Sequence, residues 1–406
     1  MNKGLCVLLM LVVMVKAVAN SQPVLVEQLA TPVGTRLADN IIQRYQPTIN
    51  VMTNHGWDHS NSIILHGIEK IYLQTQNENY LTYIKKYADD YINDDGSITG
   101  LLTTLDGIHP GVLCLFLYQE TGNEKYRLAA KTMRDHLLGT KTKPSGFHKT
   151  PDGGFGHKNN KKYHHVMSVD GLYMTSPFLI RYGVLFNEPE VIDMAIKQIL
   201  LISERSFNIK AKLPFHAWHY DKSNDWADPV TGTSSQFWSR AAGWYSMALV
   251  DVLEFLPKNH LKYPIILGLY KQLAQGIKNA QNPKDGLWYQ VLDVYDRPDN
   301  YPEISGSAMM VYSIKKAINL NILNGEYLIV ADKGWLSIQS YIKTYSDGGL
   351  QIRSVAPGMS TQVSYDDYVA IKPVNVPTTK QKKQHAHGYI GVLMAASVME
   401  KYEIYH

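Results

Sequence analysis

The chain has little cysteine and little net charge. Its 406 residues include two cysteines and carry a formal net charge of +4. Cys6 lies in a leader segment described below, so Cys114 is the only cysteine of the mature chain, which excludes an intramolecular disulfide. Because Lys3 and Lys16 leave with the same leader, the mature charge falls to +2, without the basic surplus of a nucleic-acid-binding protein.

Three further signals are missing from the sequence. After the leader, no stretch approaches the roughly 20 apolar residues of a membrane-spanning helix. There is no glycine-rich phosphate loop, and the pairs His164-His165 and His385-Ala386-His387 lack other ligands at metal-site spacing. We therefore expect no cofactor, no metal, no nucleic-acid partner and no membrane partner once the leader is removed.

The amino terminus has the three parts of a secretory signal. Lys3 precedes an apolar run over residues 5–15, and Ala17 and Ala19 supply the small residues of a cleavage site. We predict a signal peptide over residues 1–19, a mature chain over residues 20–406 and a periplasmic or secreted location. An uncleaved anchor is the alternative, although the apolar run is short for a bilayer.

Aromatic residues with a polar tip are abundant. The chain has 27 Tyr and 7 Trp beside only 9 Phe, within a hydrophobic content of 45% that is sufficient for a large core. Rings that combine an apolar face with a hydrogen-bonding group are typical of sugar-binding sites. Tyrosine-rich packing between helices explains the same composition equally well.

The apolar pattern predicts helices from about residue 60 onward. Between Ala241 and Phe255, for example, apolar residues recur at three- and four-residue spacing, and Pro257 follows as a stop. Helix, short turn and helix then repeat along the chain without a Pro/Ser linker. We predict a single all-α domain over residues 20–406, and the periodicity leaves open whether its hairpins close into a toroid or stack into a solenoid.

Two aspartates stand where helices are expected to begin. Asp106 lies in a Leu-Asp-Gly-Ile segment and Asp170 in a Val-Asp-Gly-Leu segment. A carboxyl group at such a place can act as a general acid or base in a cleft. Because Asp is also a preferred amino-terminal cap of helices, a purely structural role is the alternative for each residue.

Indole, imidazole and guanidinium groups cluster in the later connections. His216 precedes a tryptophan, and Trp238, Arg240 and Trp244 follow one another at the start of an expected helix. Indole faces stack on sugar rings, and a guanidinium binds a carboxylate with two parallel hydrogen bonds. This pattern favours a pocket for an anionic sugar, whereas core tryptophans and a solvated arginine are the alternative.

Five ordered segments together resemble the unsaturated uronyl hydrolases of glycoside hydrolase families 88 and 105, with the greater likeness to the family 105 rhamnogalacturonyl enzymes. The resemblance covers most of the mature chain. The segments are Gly154-Phe155-Gly156-His157-Lys158, Val169-Asp170-Gly171-Leu172-Tyr173-Met174, His216-Ala217-Trp218, Phe237-Trp238-Ser239-Arg240 with Gly243-Trp244-Tyr245, and Glu303-Ile304-Ser305-Gly306-Ser307-Ala308-Met309.

The resemblance implies an (α/α)6 barrel, a toroid of six helical hairpins, with a cleft at one end. It implies that the substrate is an acidic oligosaccharide ending in a 4,5-unsaturated uronic acid, derived from pectin or from algal polysaccharide. It places the catalytic acid on Asp170 and a second catalytic aspartate on Asp106. The substrate-binding residues that it implies are His216, Trp238, Arg240 and Trp244.

Two positions depart from the family pattern. Relatives often have Trp-x-Tyr where this chain has Trp57-Asp58-His59, and His-Ala-Trp-Asp where His219 stands here. We expect both departures to border the cleft and to affect substrate preference. The competing hypotheses are a two-carboxylate glycosidase of the same fold acting on saturated sugars, a carbohydrate-binding protein without activity, and a sugar epimerase.

Overall fold

The computed structural model describes residues 31–404 except 54–55, 101–102, 143–145, 159, 161–162, 164, 347 and 378–385. The predicted signal peptide over residues 1–19 lies outside this range. The helices within the described residues are α1 Val33–Arg44, α2 His59–Thr75, α3 Glu78–Asp89, α4 Gly111–Thr121, α5 Glu124–Leu138, α6 Val169–Leu185, α7 Pro189–Ser206, α8 Ser239–Phe255, α9 Tyr263–Ala280, α10 Ile304–Asn319, α11 Glu326–Gln339, α12 Tyr365–Ala370 and α13 His387–Met399.

Six of these helices form a closed inner ring. Helices α2, α4, α6, α8, α10 and α13 each contact the next, and α13 returns to contact α2. A helix in this ring is covered on all sides, and in α8 every residue from Ser239 to Leu253 is buried. The sequence accommodates this with small and apolar residues around the whole circumference rather than along one stripe.

The outer helices α1, α3, α5, α7, α9 and α11 pack against the inner ring with one face only. In α3 the buried residues are Tyr80, Tyr83, Ile84, Tyr87 and Ala88, which is the spacing of a single helical stripe. Each outer helix reverses the direction of the chain, so consecutive inner helices run the same way. The predicted (α/α)6 barrel is confirmed.

Short strands occupy the connections. They pair as β1 Val166–Ser168 with β4 Ala217–His219, β2 Phe207–Asn208 with β3 Leu213–Pro214, and β5 Ile342–Thr344 with β6 Leu350–Val355 and β7 Val374–Val376, all antiparallel. The β1–β4 pair matters for the site. Because β1 leads directly into α6 and the Val169 N–H donates to the His216 carbonyl at 3.2 Å, the chain before β4 lies beside the start of α6.

Two smaller features complete the fold. Cys114 is buried within α4, and burial raises the pKa of its thiol far above the usual range, as expected for an unreactive side chain. Across the described part of the chain, none of the helices combines the length and apolar character needed to cross a bilayer.

Candidate active site

A cavity of about 300 Å³ opens at the end of the barrel where the inner helices begin. Since consecutive inner helices run in the same direction, their amino ends meet there. The site therefore takes its side chains from segments far apart in sequence. All six predicted site residues line this cavity: Asp106, Asp170, His216, Trp238, Arg240 and Trp244. Their individual roles stay predictions.

Asp170 is the second residue of α6, but it does not cap the helix. Ser168 is the cap, and its Oγ accepts the Asp170 N–H at 3.3 Å. The Asp170 Oδ1 atom is buried and has no hydrogen-bond partner among the described residues. The alternative of a capping role for Asp170 is therefore excluded by the local geometry.

The surroundings of Asp170 favour its protonated form. Burial raises its pKa to about 7, against the opposing charge of Arg240 and with a further upward contribution from the Asp106 carboxylate. A carboxyl group with a pKa near neutrality can deliver a proton and take one back at the pH of a cell. This is the property that a catalytic acid in this cleft requires.

Asp106 lies in the 3-10 turn Leu105–Gly107, ahead of α4 rather than at its first residue. Two imidazoles approach its Oδ1: His59 Nδ1 at 3.6 Å and His157 Nε2 at 3.6 Å. His59 Nδ1 also lies 2.9 Å from Asp58 Oδ1. Asp106 therefore lies beside imidazoles, whereas the buried Oδ1 atom of Asp170 has no partner among the described residues.

His216 and Trp238 form one wall of the cavity. Their ring centres are 4.3 Å apart, His216 Nδ1 lies 2.9 Å from the Tyr368 hydroxyl, and the Trp238 Nε1–H donates to Gln290 at 3.1 Å. Burial lowers the pKa of His216 to about 3, and the Arg240 charge acts in the same direction. His216 is thus neutral at working pH and offers a hydrogen bond without a charge.

Arg240 is 1% exposed, so it is not the solvated residue of the alternative interpretation. Its Nη1 donates to the Ala356 carbonyl at 2.6 Å and its Nη2 to the Pro357 carbonyl at 2.6 Å. The guanidinium lies over the Trp238 ring at 4.7 Å. Its Nε is buried with no acceptor among the described residues, and the residue lines the cavity.

Trp244 lines the cavity, and its ring is held in place by stacking. Its ring stacks on Tyr173 of α6 with centroids 5.3 Å apart, and Tyr173 in turn stacks on His109 at 5.4 Å. An indole held by stacked rings keeps one orientation toward the cavity. It can therefore serve as a preformed platform for the apolar face of a sugar ring.

Sequence reasoning missed several residues that line the cavity. His157 and Lys158 belong to a segment that carried the family resemblance, so that segment was the available signal. His387 lines the cavity as the first residue of α13, although the sequence suggested only that it was not a metal ligand. Residues 358–361 also line it, at its mouth, and their small and polar composition gives no signal in the sequence.

The two departures from the family pattern have different outcomes. His59 lines the cavity, as expected for a residue that borders the cleft. His219 does not line the cavity, and the expectation for it is wrong. Its Nδ1 accepts the Ser223 N–H at 3.2 Å and its ring packs beside Trp226 at 6.0 Å, because the turn after β4 folds back over it.

Asp58, His59 and Asp106 present donor atoms within 4.8 Å of one another, which is the spacing of a small cation site. Burial lowers the pKa of His59, but the carboxylates of Asp58 and Asp106 outweigh it and raise the pKa to about 9. A protonated imidazole has no lone pair to offer a metal. We assign no metal to this group.

A closed ring of helical hairpins with a carboxyl, imidazole and indole cleft at one end characterises the (α/α)6-barrel glycosidases. Within that class, this chain belongs to Glycosyl Hydrolase Family 88, whose family model matches residues 33–402. The resemblance expected from the sequence is confirmed.

Individual relatives agree with this membership. The chain is 36% identical over 153 residues to a 24.9 kDa protein in the picA locus of Rhizobium radiobacter, a match covering 38% of this chain and 64% of that relative. It is 25% identical over 281 residues to the unsaturated rhamnogalacturonyl hydrolase YesR of Bacillus subtilis, covering 68% of this chain and 73% of YesR.

The solved structure of a family 105 glycoside hydrolase from C. acetobutylicum ATCC 824 superposes with a TM-score of 0.81 at 29% identity, covering 90% of this chain and 99% of that one. The chain thus spans nearly the whole of that hydrolase, but less than two thirds of the Rhizobium radiobacter relative.

Proposed function

We propose that this protein is a glycosidase that removes a 4,5-unsaturated uronic acid from the non-reducing end of oligosaccharides left by polysaccharide lyases. The observation that carries the proposal is the Asp170 carboxyl, buried in the cleft with Oδ1 unpartnered among the described residues and with a pKa of about 7. Membership of Glycosyl Hydrolase Family 88 and the likeness to the rhamnogalacturonyl hydrolase YesR support it.

The substrate class explains why one protonated carboxyl suffices. In a 4,5-unsaturated uronate the C4=C5 double bond is a vinyl ether conjugated with the carboxylate, so it reacts by protonation. Asp170 donates its proton to C4, and positive charge develops on C5 and the ring oxygen. The Asp170 carboxylate then accepts a proton from the water that adds at C5.

The hydrated ring is a hemiketal at C5. It opens by cleavage of the bond between C5 and the ring oxygen, which leaves a ketone at C5 and a hemiacetal at C1. Collapse of that hemiacetal releases the neighbouring sugar. One carboxyl serves as acid and then as base, so the separation of Asp106 and Asp170 predicts neither retention nor inversion in the usual two-carboxylate sense.

The remaining side chains fit the other parts of such a substrate. Arg240 lines the cavity, and its positive charge is suited to the uronate carboxylate. Trp244 is suited to the apolar face of the ring, and neutral His216 to a hydroxyl group. The Asp106 carboxylate, which lies beside two imidazoles, is suited to stabilise the ring where it becomes positive.

We extend the proposal to the setting of the reaction. The predicted leader favours a periplasmic or secreted enzyme, where lyase products of pectin or algal polysaccharide are encountered. Both unsaturated galacturonyl-rhamnose and unsaturated glucuronyl-rhamnose remain open as substrates.

An absorbance assay tests the proposal directly. Purified protein is incubated with unsaturated galacturonyl-rhamnose, unsaturated glucuronyl-rhamnose and an unsaturated chondroitin disaccharide, and the ultraviolet absorbance of the conjugated double bond is followed. We expect the absorbance to disappear for at least one of them. Persistence of the chromophore on all three would overturn the proposal, and release of sugar from saturated analogues alone would establish the two-carboxylate glycosidase instead.

Asp39→Asn is the matched control for variants of Asp170. Burial raises the pKa of Asp39 as well, but this carboxyl lies on outer helix α1, accepts the Tyr80 hydroxyl at 2.8 Å and does not line the cavity. We expect this variant to consume the chromophore at the wild-type rate. A loss equal to that of an Asp170 variant would show that the assay reports folding rather than chemistry.

A further inference from the structure

We propose that His59 is a positioning residue of the active site: its imidazolium, near both Asp58 and Asp106, pairs with the Asp106 carboxylate and orients it in the cleft, so that proton donation falls to Asp170 alone. This inference rests on the proposed function and adds a residue to it. It concerns a position where the chain departs from its relatives, so the family resemblance does not supply it.

The geometry places His59 at the junction of the two carboxylates. It is the first residue of α2, with Asp58 as the helix cap, whose Oδ1 accepts the Ser60 N–H at 2.9 Å. That same Oδ1 lies 2.9 Å from His59 Nδ1, and Asp106 Oδ1 lies 3.6 Å from it. The capping hydrogen bond thus fixes Asp58, and the His59 imidazole lies within ion-pair distance of both Asp58 and Asp106.

The charged groups around His59 come from several elements. Asp58 belongs to its own helix, Asp106 to the turn before α4, and Asp170 to α6, and all three favour its protonated form. His387 of α13 lies with its ring centre 5.9 Å away. Among the described residues, carboxylates therefore outnumber cations around this imidazole.

The other cavity imidazoles cannot take over this task. Burial lowers the pKa of His157, and although the Asp106 carboxylate opposes this, the net change is downward. Burial also lowers the pKa of His216 to about 3. His157 and His216 are therefore neutral near pH 7, and His59 alone of these three imidazoles brings a positive charge to Asp106.

Two carboxyl groups in one cleft need different environments if one is to hold a proton while the other does not. Asp106 has His59 at 3.6 Å, whereas Asp170 has an unpartnered Oδ1 in dry surroundings. Without the imidazolium, Asp106 would compete for the proton. The carboxyl groups of Asp106 and Asp170 would then no longer divide into one that is charged and one that is neutral.

The test replaces His59 by neutral residues and reads the pH dependence of kcat. Removing the cation takes away a positive charge that lowers the pKa of Asp170 and faces Asp106, so we expect both limbs of the bell-shaped profile to move to higher pH. We expect a shift of about 1 unit in His59→Gln, the size typical of losing an opposite charge within 4 to 6 Å. His59→Tyr, a second neutral variant, is expected to shift the limbs the same way.

His260→Gln is the matched control. His260 Nε2 also lies 3.6 Å from a carboxylate oxygen, on Asp193, but neither residue lines the cavity. We expect its pH profile to coincide with that of the wild type. A uniform loss of rate in the His59 variants with unmoved limbs, in protein with wild-type thermal stability, would overturn the proposal.

A double-mutant cycle sharpens the result. If His59 acts through Asp106, then Asp106→Asn removes the acid limb, and adding His59→Gln to it costs less than about threefold further in kcat. Fully additive losses would contradict the proposal. Failure of the proposed function is distinguishable from these outcomes, because a wild-type enzyme inactive on every unsaturated substrate would show no pH profile at all.

Discussion

The two ends of the inner barrel use charge in opposite ways. At the open end the Asp170 Oδ1 atom lacks a partner among the described residues. The opposite end, where the inner helices finish, is here called the closed end. There Asp251 of α8 accepts hydrogen bonds from the Tyr312 hydroxyl at 2.8 Å and from Lys316 Nζ at 2.7 Å. Lys316 also donates to Glu254 at 2.7 Å, so this network is satisfied within the protein.

Helix direction explains part of the difference. The carboxyl ends of the inner helices meet at the closed end, where Arg181 and Lys316 stand near the last turns of α6 and α10. Cations are favourable at that end of a helix. The buried charges are thus paired within the protein at one end of the barrel, whereas a buried carboxyl oxygen is left unpartnered among the described residues at the other.

The largest expected effect comes from the unpartnered group. Asp170→Asn keeps the shape of the side chain but removes the transferable proton, so we expect kcat to fall by about 10³-fold. Because no hydrogen bond to Oδ1 is lost, the free energy of unfolding should stay the same or rise slightly. Steady-state kinetics together with urea unfolding check both parts. A marked fall in stability with little loss of kcat would show that Asp170 has a structural role, which contradicts the contrast drawn between the two ends.

A substitution at the closed end should lower stability and leave kcat nearly unchanged. Lys316→Met leaves Asp251 buried without its cation, which we expect to lower the free energy of unfolding by about 3–5 kcal/mol. The kcat of the folded fraction should stay within about twofold of the wild type, as the cavity is untouched. Urea unfolding measures the first quantity, and Lys315→Met, one residue away and only half-buried, is the control.

The pH dependence of stability should also differ between the ends. Asp170 binds its proton more tightly in the folded state, with a pKa near 7 against 3.8 in the unfolded chain, so its contribution is present below pH 4 and is lost as pH rises to 7. The slope is at most about 1.4 kcal/mol per pH unit. Asp170→Asn should remove this decline in thermal unfolding measured across that range.

Glu254 should show the reverse dependence. Burial raises its pKa, but the charges of Lys316 and Lys70 and the hydrogen bond from Lys316 together outweigh burial, and the net change is downward. Its contribution to stability is therefore present above its ordinary pKa of 4.5 and is lost as pH falls below that value. Glu254→Gln should flatten the loss of stability on the acid side alone. An unchanged acid-side slope would contradict the assignment.

The smallest effect is expected at Tyr173, whose side chain contacts residues at both ends of the barrel. Tyr173 stacks on Trp244 toward the cavity, and its hydroxyl donates to Asp251 at 3.4 Å. Tyr173→Phe keeps the stacked ring and removes a long hydrogen bond, so we expect about 1 kcal/mol of lost stability and an unchanged KM. A rise of KM by tenfold would show that the closed end controls the shape of the cleft.

Much of the fold and of the candidate site could be predicted from the sequence, because local residue patterns indicate them. The helical periodicity and the short turns predicted an all-α chain, and the segments around Asp170 and Trp238 identified the cleft residues. The structure alone excluded a capping role for Asp170, since Ser168 takes the cap. It also separated His59, which lines the cavity, from His219, which the turn after β4 turns away.

The sequence by itself determined the helices, their buried faces and the chemical types of the site residues, because these depend on neighbours along the chain. Only the tertiary structure decided which carboxyl is dry and which is paired with an imidazolium. Asp106 and His59 meet because α2 packs beside the turn before α4, and the pKa of His59 depends on the distance between them. Electrostatic energy follows separation in space and burial, and neither quantity is written in sequence order.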